Sequence, residues 1–136
     1  MKNYRDLEIY QLAYELALEV HKMSMTLPKY ELYEQGSQIR RASKSIKDNI
    51  VEGYGRRRYK AEFIRYLIFA HASCDETIAQ LNMINEIHFK DEPLDHLLLE
   101  YDKLGRKINN FLQYVAKSWN ENEVTKKNPQ HETRNT

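Results

Sequence analysis

Basic side chains are concentrated between residues 40 and 60, in two groups. One group recurs at helical spacing and the other is nearly continuous; they are Arg40, Lys44 and Lys47, and then Arg56, Arg57, Arg58 and Lys60. Tyr54 and Tyr59 are interleaved with the second group. A site for single-stranded nucleic acid needs cations for phosphates and aromatic rings that stack on bases. These residues are therefore a candidate site for RNA or another polyanion.

The same basic residues also have a purely structural interpretation. A lysine-rich helix face exposed to water, followed by a loop whose arginines pair with acids of a neighbouring subunit, would give the same pattern. The net charge of the chain is only +1, so any nucleic-acid site must be a local patch. The sequence is compatible with both the nucleic-acid interpretation and the structural one.

A single carboxylate accompanies the basic residues. Glu52 falls in the last turn of a predicted helix, where the helix dipole disfavours a negative charge, so we expect a cationic partner such as Arg41 or Arg56. Asn49, one turn earlier, has an amide that could cap the helix or crosslink it. A carboxylate without a paired acid, base or nucleophile is weak support for catalysis. We therefore expect no catalytic residue and no enzyme activity.

Metal and nucleotide chemistry have little support. His71, Cys74 and Asp75 lie within one turn of a predicted helix, but no second cluster of comparable spacing accompanies them. Cys74 falls on the apolar stripe of that helix, where a free cysteine is commonly a small buried hydrophobe. The turn containing Gly53 and Gly55 lacks the longer loop and the Lys-Ser or Lys-Thr of a P-loop. We expect no metal and no cofactor.

Four blocks of apolar residues at helical spacing must position these side chains. The blocks span residues 12–27, 39–50, 59–87 and 94–119. Pro28 ends the first block, Gly53 is the expected C-terminal cap of the second, and Asp91-Glu92-Pro93 is the expected start of the last. The sequence predicts an all-α fold, an antiparallel up-and-down four-helix bundle, because that arrangement buries four stripes around one core.

The chain is long enough for one domain, which we place at residues 1–120. Residues 121–136 contain one aliphatic side chain, so we expect a disordered polar C-terminal tail. The single cysteine and the charged N-terminus, which lacks the apolar segment of a signal peptide, indicate a cytoplasmic protein. The longest apolar run is too short to span a bilayer, and no membrane association is expected.

The first and third predicted helices carry large apolar side chains away from their core stripes. These outward residues are Tyr10, Tyr14 and Leu18 in the first helix, and Ile68, Phe69 and Ala72 in the third. A helix that is apolar nearly all round is buried on several sides, and tyrosine is enriched at interfaces. We therefore predict a homo-oligomer with these residues in its interface. The alternative is that they are the scattered apolar residues that any surface carries.

Several motifs in combination resemble the bacterial 23S rRNA intervening-sequence protein family. They are Arg5-Asp6-Leu7-Glu8, Leu27-Pro28, Gln38-Ile39-Arg40-Arg41-Ala42, Asn49-Ile50-Val51-Glu52-Gly53 and the helix from Phe63 to Ser73. The chain departs from the family pattern at Glu34-Gln35-Gly36, where a leucine usually precedes the glutamine-arginine block. The resemblance implies a four-helix bundle without established enzymatic activity that assembles into ring-shaped pentamers.

The resemblance also bears on the residues around the second helix. Asn49, Glu52, Gly53 and Arg56 match recurring family positions, and we expect them to fix the turn or a subunit contact. The family is similar in architecture to a basic pentameric accessory protein of diversity-generating retroelements, which binds nucleic acid. The leading hypothesis is a non-enzymatic oligomer that binds RNA. The alternative is a scaffold that recruits a protein partner through its outer aromatic and mixed-charge faces.

Overall fold

The structure, a computed structural model, describes residues 3–120. Within this range it contains helices and no strand, which confirms the all-α class and the four long helices. A 3-10 helix, Tyr4–Asp6, precedes five α-helices: α1 Glu8–Ser24, α2 Lys29–Leu32, α3 Gln35–Gly55, α4 Lys60–His88 and α5 Asp95–Ser118. The predicted tail, residues 121–136, lies outside the described residues.

Three helix boundaries differ from the sequence predictions. The first helix, α1, ends at Ser24 and does not continue to Pro28. Gly53 does not cap α3, because the helix continues to Gly55 and Gly53 is buried inside it. The last helix begins at Asp95, after Pro93, and not at the acidic pair before the proline. Its start is held by α4, since the Leu94 amide donates a hydrogen bond of 2.7 Å to Asn85 Oδ1. The short helix α2 was not predicted.

The helices pack around one core in a closed order. α3 packs against α1 and α4, and α5 also packs against α1 and α4, so α1 and α4 occupy opposite corners of the bundle. The largest completely buried side chains come from all four long helices and include Leu16, Ile46, Phe63, Leu67, Tyr101 and Leu104. Each of the leucine, isoleucine and phenylalanine side chains contributes about 1.5–3 kcal/mol through removal from water. None of the described helices is long and apolar enough to cross a membrane.

The buried face of α1 is rotated relative to the expected stripe. Leu16 and Val20 are buried as predicted, but Leu12 and Met23 are only partly buried. The other buried apolar positions of the helix are Ile9, Ala13 and Ala17. Small alanine side chains let α1 approach its neighbours closely, so close packing favours this face over one made only of large residues.

Candidate nucleic-acid interface

Arg40, the first residue of the predicted basic stripe on α3, is engaged inside the protein. Its Nη1 donates to Ser24 Oγ at 2.8 Å, and its Nη2 donates to the Leu32 carbonyl oxygen at 2.9 Å. The guanidinium therefore joins α3 to the end of α1 and to α2. Hydrogen bonds from a charged donor are stronger than neutral ones, so this cation is a structural tie between three helices.

The two lysines of the stripe are more available. Lys44 is exposed, and no hydrogen bond or ion pair joins it to another described residue. Lys47 Nζ lies 2.7 Å from Asp48 Oδ1, and 24% of its side chain is exposed. An ion pair at a solvated surface contributes little, about 0–1 kcal/mol, so an external phosphate can compete with Asp48 for Lys47.

Arg56 forms the centre of a charged cluster where α3 meets α4. Its Nη2 lies 3.0 Å from Glu52 Oε2 and its Nη1 lies 3.2 Å from Glu62 Oε1, which confirms Arg56 as the expected partner of Glu52. The guanidinium carbon is 4.9 Å from the centre of the Tyr66 ring. The hydrogen bond to Glu52 raises the pKa of Arg56 above its ordinary value. The cluster fastens the end of α3 to the first turns of α4.

Arg57 and Tyr54 also make internal contacts. Arg57 Nη1 donates to the Tyr54 carbonyl oxygen at 2.9 Å, and its guanidinium carbon is 4.1 Å from the centre of the Tyr54 ring. Tyr54 is only 6% exposed. The expectation that Tyr54 offers a stacking surface for bases is therefore wrong, because its ring packs in the core against Phe63.

The two residues that follow Arg57, namely Arg58 and Tyr59, lie at the surface. Arg58 is exposed and has no hydrogen bond or ion pair with any residue in the described range. Tyr59 is 63% exposed, and Lys60, partly buried, begins α4. We call residues 56–60 the basic connection. Of the predicted site residues, Lys44 and Arg58 are exposed without a charge partner in the described range, and Lys47 is held by a single ion pair, whereas Arg56 is paired with two carboxylates; Tyr59, next to Arg58 in the chain, has an exposed ring.

The remaining motif residues line the contact between α3 and α4. The Asn49 amide nitrogen donates to the Ser45 carbonyl oxygen at 2.9 Å, within α3. Ser45 Oγ lies 2.6 Å from Ser73 Oγ on α4. Gly53 packs against Tyr66, as a Cβ added to the glycine would lie 2.9 Å from Tyr66 Cβ. Side-chain hydrogen bonds and a close approach of the two helices therefore occur along the same contact between α3 and α4.

The predicted interface residues are mostly exposed in the single chain. On α1, Tyr14 is 44% and Leu18 is 51% exposed, whereas Tyr10 is partly buried with its ring 4.9 Å from that of Tyr4. The corresponding residues of α4 are exposed as well: Ile68, Phe69 and Ala72. The two groups therefore lie on helices at opposite corners of the bundle.

The possible metal ligands of α4 point in different directions. Cys74 is completely buried, and its thiol donates to the Tyr101 carbonyl oxygen at 3.4 Å. Burial raises the pKa of the Cys74 thiol to about 12. His71 Nδ1 lies 3.6 Å from Asp75 Oδ2 on the surface. Among residues 3–120 no group of three or more metal-binding side chains comes together.

Two contacts of the site were missed in the sequence. The spacing of Glu52 and Arg56 signalled their pairing, but nothing local indicated that Glu62 would join them. Trp119 was assigned only to the core stripe, yet its indole Nε1 donates to the Arg57 carbonyl oxygen at 3.0 Å. Trp119 and Arg57 are far apart in the chain, so only the folded bundle brings them together.

A protein-family model described as "23S rRNA-intervening sequence protein" matches residues 5–110. The match includes α1 to α4, the basic connection and most of α5, and thus every residue of the candidate interface. It covers well over half of the chain. No curated protein matches the chain.

Proposed function

This chain belongs to the 23S rRNA-intervening sequence protein family, and from that premise we propose that it is a non-enzymatic, oligomeric bundle protein that binds RNA. The family is one of unknown function. The proposed site consists of Lys44, Lys47 and Arg58 together with Tyr59. The family's name refers to ribosomal RNA and does not by itself assign binding to this chain.

One observation carries the RNA proposal, namely the exposed pair of Arg58 and Tyr59. The Tyr59 ring, 63% exposed, offers a stacking surface, and the guanidinium of the preceding residue, which has no partner among residues 3–120, offers a phosphate-binding cation. Stacking of a base on an aromatic side chain contributes about 1–3 kcal/mol. Lys44 lies on the order of 20 Å away along α3, at about 1.5 Å per residue, so the same strand could reach both lysines.

The experiment is a fluorescence-anisotropy titration of nuclease-treated protein with a labelled single-stranded RNA and a duplex of the same sequence, over a series of salt concentrations. Each phosphate neutralised on a single strand contributes about 0.7 to the slope of log affinity against log salt. Three cations thus predict a slope of about −2 and a preference for the single strand, because the bases of a duplex cannot reach Tyr59. Absence of binding at low salt would contradict the proposal.

We propose further that neighbouring helices run antiparallel. Gly53 of α3 contacts Phe63 and Tyr66 of α4, whereas Ser45 contacts Ser73. Residue numbers therefore fall along α3 as they rise along α4. The short connections between successive long helices support the same arrangement for the other pairs.

The oligomer that we propose is a ring. The exposed apolar faces of α1 and α4 lie at opposite corners, so one subunit's α1 face would meet the next subunit's α4 face in a head-to-tail contact. Such contacts close into a ring when the rotation between subunits permits it. The number five comes from the family resemblance alone. The single cysteine is consistent with our placement of the assembly in the cytoplasm.

A protein-interaction scaffold is the second candidate. A stripe of mixed charge on α3, formed by Arg41, Ser45, Asp48 and Glu52, borders a cavity between α3 and α4. The cavity has a volume of about 340 Å³ and is lined by Gln38, Arg41, Ala42, Ser45 and Glu76. Because the cavity is lined by charges of both signs, it matches the mixed charges of a protein surface better than the uniform negative charge of a polyanion. A protein partner that also covers the exposed aromatic side chains would bind largely through apolar contacts, which change little with salt, whereas an RNA contact weakens steeply as salt rises.

A further inference from the structure

The basic connection is held by two contacts that meet at Arg57. The Arg57 carbonyl oxygen accepts a hydrogen bond of 3.0 Å from the Trp119 indole nitrogen. The Arg57 side chain turns back to α3, where its Nη1 donates to the Tyr54 carbonyl oxygen at 2.9 Å and its guanidinium carbon lies 4.1 Å from the centre of the Tyr54 ring. Arg57 is therefore joined to the end of α5 through its backbone and to the end of α3 through its side chain.

Trp119 is itself placed by a cluster of aromatic rings. It follows the last residue of α5, and its amide donates to the Val115 carbonyl oxygen at 3.2 Å. The indole ring lies 5.2 Å from the Phe63 ring in an edge-on contact and 6.5 Å from the Tyr114 ring. Phe63 is completely buried, so the indole is fixed against the core on one side and against the basic connection on the other.

The hydrogen bond from Trp119 acts on the backbone directly before Arg58. The Arg57 carbonyl belongs to the peptide unit that joins these two residues, and because a peptide unit is planar, a bond to its oxygen restrains its rotation. The next turn is restrained as well, since the Tyr59 amide donates to the Arg56 carbonyl oxygen at 2.9 Å. The Arg58 side chain has no hydrogen bond or ion pair within residues 3–120, so its direction depends on these backbone restraints.

We propose that Trp119 is a positioning residue of the RNA site. Its hydrogen bond to the Arg57 carbonyl holds the backbone of Arg58 and Tyr59 so that one side chain meets a phosphate while the other stacks on a base of the same strand. A site that is ordered before binding loses less conformational freedom on binding, and its affinity is higher for that reason. The effect on affinity rests on the proposed RNA function, whereas the ordering of the basic connection by Trp119 does not.

The first test separates positioning from stability. Trp119→Phe keeps an aromatic ring beside Phe63 but removes the indole donor. Phe111→Leu is the matched control, because Phe111 packs on the same Phe63 ring at 5.9 Å, and no hydrogen bond or ring contact joins it to the described residues of the basic connection. The free energy of unfolding of both variants is measured in urea, and a labelled oligouridine is titrated at low salt.

Loss of one hydrogen bond that orders the site should weaken RNA binding by Trp119→Phe about three- to tenfold. Phe111→Leu should bind within about twofold of the parent protein, even if it is the less stable of the two variants, because packing alone is changed there. Parental affinity in Trp119→Phe would overturn the positioning role. Equal losses of affinity in the two variants would overturn it as well, since they would follow from the disturbed packing around Phe63.

The second test measures the ordering without RNA. Hydrogen exchange of the free protein reports local opening of the basic connection through the Tyr59 amide, which is bonded to the Arg56 carbonyl oxygen. Relative to the centre of α4, exchange at residues 56–60 should be faster in Trp119→Phe than in the parent protein, and unchanged in Phe111→Leu. Unchanged exchange in Trp119→Phe would overturn the positioning role even if RNA binds. Faster exchange in a protein that binds no RNA would support the ordering by Trp119 and contradict the RNA function.

Discussion

Gly53 of α3 and Tyr66 of α4 pack so closely that a Cβ added to the glycine would lie 2.9 Å from Tyr66 Cβ. Glycine is required at this position because the two helices approach there, and not because a helix ends there. The next glycine, Gly55, is different, as nothing lies within 4 Å of a Cβ added to it. The two glycines of this region therefore have separate physical roles.

Substitution of these glycines by alanine should have opposite effects. Gly53→Ala forces the Tyr66 side chain or the backbone to move, and overpacking of this kind costs about 1–3 kcal/mol. Gly55→Ala meets no neighbour and gains helix propensity, by up to about 1 kcal/mol. Urea denaturation of both variants measures the difference. Equal stability of the two would show that the α3–α4 approach is not constrained at Gly53.

Replacement of Arg40 should lower stability, whereas replacement of Lys44 should not. Arg40→Ala removes the hydrogen bonds to Ser24 and Leu32, and each bond to a charged group contributes about 1.5–3 kcal/mol. Lys44→Ala at an exposed position should change the free energy of unfolding by less than about 0.5 kcal/mol. Thermal unfolding of both variants checks this. If Arg40→Ala were as stable as Lys44→Ala, the structural role of Arg40 would be wrong.

Stability should fall at alkaline pH because Cys74 is buried. Burial raises the pKa of its thiol from 9.0 to about 12 in the folded protein. A group whose pKa is raised on folding contributes stability fully below the unfolded pKa and loses it as pH rises, here between 9 and 12. Burial raises the pKa of Tyr101 as well, which adds to the decline above pH 10.

The measurement is the free energy of unfolding as a function of pH, in the parent protein and in Cys74→Ala. The variant is expected to lose stability less steeply between pH 9 and 12, even though its absolute stability is lower. The native thiol should also resist alkylation at pH 8 and react once the protein is unfolded. Identical slopes in the two proteins would contradict the burial of an un-ionised thiol at this position.

The head-to-tail ring predicts a particular result when two interface variants are mixed. Leu18→Glu disrupts the α1 face and Ile68→Glu disrupts the α4 face, so each alone should be monomeric by light scattering. Mixed together, they retain one intact α4 face and one intact α1 face, and should form a 1:1 dimer and nothing larger. Leu99→Glu, on α5 and 53% exposed, is the matched control and should leave the oligomer intact.

Two outcomes would contradict this arrangement. The parent protein could be monomeric at micromolar concentration, in which case the exposed residues of α1 and α4 are ordinary surface residues. Alternatively, the mixture of variants could remain monomeric while the parent assembles. The second result would mean that the α1 and α4 faces do not meet each other in the oligomer.

The sequence predicted those features that depend on local periodicity. The apolar repeat located all four long helices, and it placed α4 within one residue of Lys60–His88. The pairing of Glu52 with Arg56 was also predictable, because residues four apart are neighbours on a helix. Local rules were sufficient in these cases because the interacting residues lie on one helix.

Features created by distant contacts were not predictable in this way. The engagement of Arg40 depends on where α1 ends, the burial of Tyr54 depends on Phe63, and the position of the basic connection depends on Trp119. Each contact joins separate segments of the chain, so the spacing of residues within one helix carries no signal for it. As a result, the basic stripe was predicted with too many accessible cations and with one stacking ring that is buried.

Charge reversal at Lys44, Lys47 and Arg58, measured by fluorescence anisotropy, is the most direct test of the proposed RNA site. Arg40 is left unchanged, because its loss would disturb the fold. The triple glutamate variant of these residues is compared with Lys103→Glu/Arg106→Glu/Lys117→Glu, which changes the net charge equally on α5. Salt of about 0.15 M limits long-range effects, as the screening length is then about 8 Å. We expect at least a tenfold loss of single-stranded RNA affinity in the first variant and about parental affinity in the second. Equal affinities of the two variants, or no binding by the parent protein, would contradict the proposed RNA site.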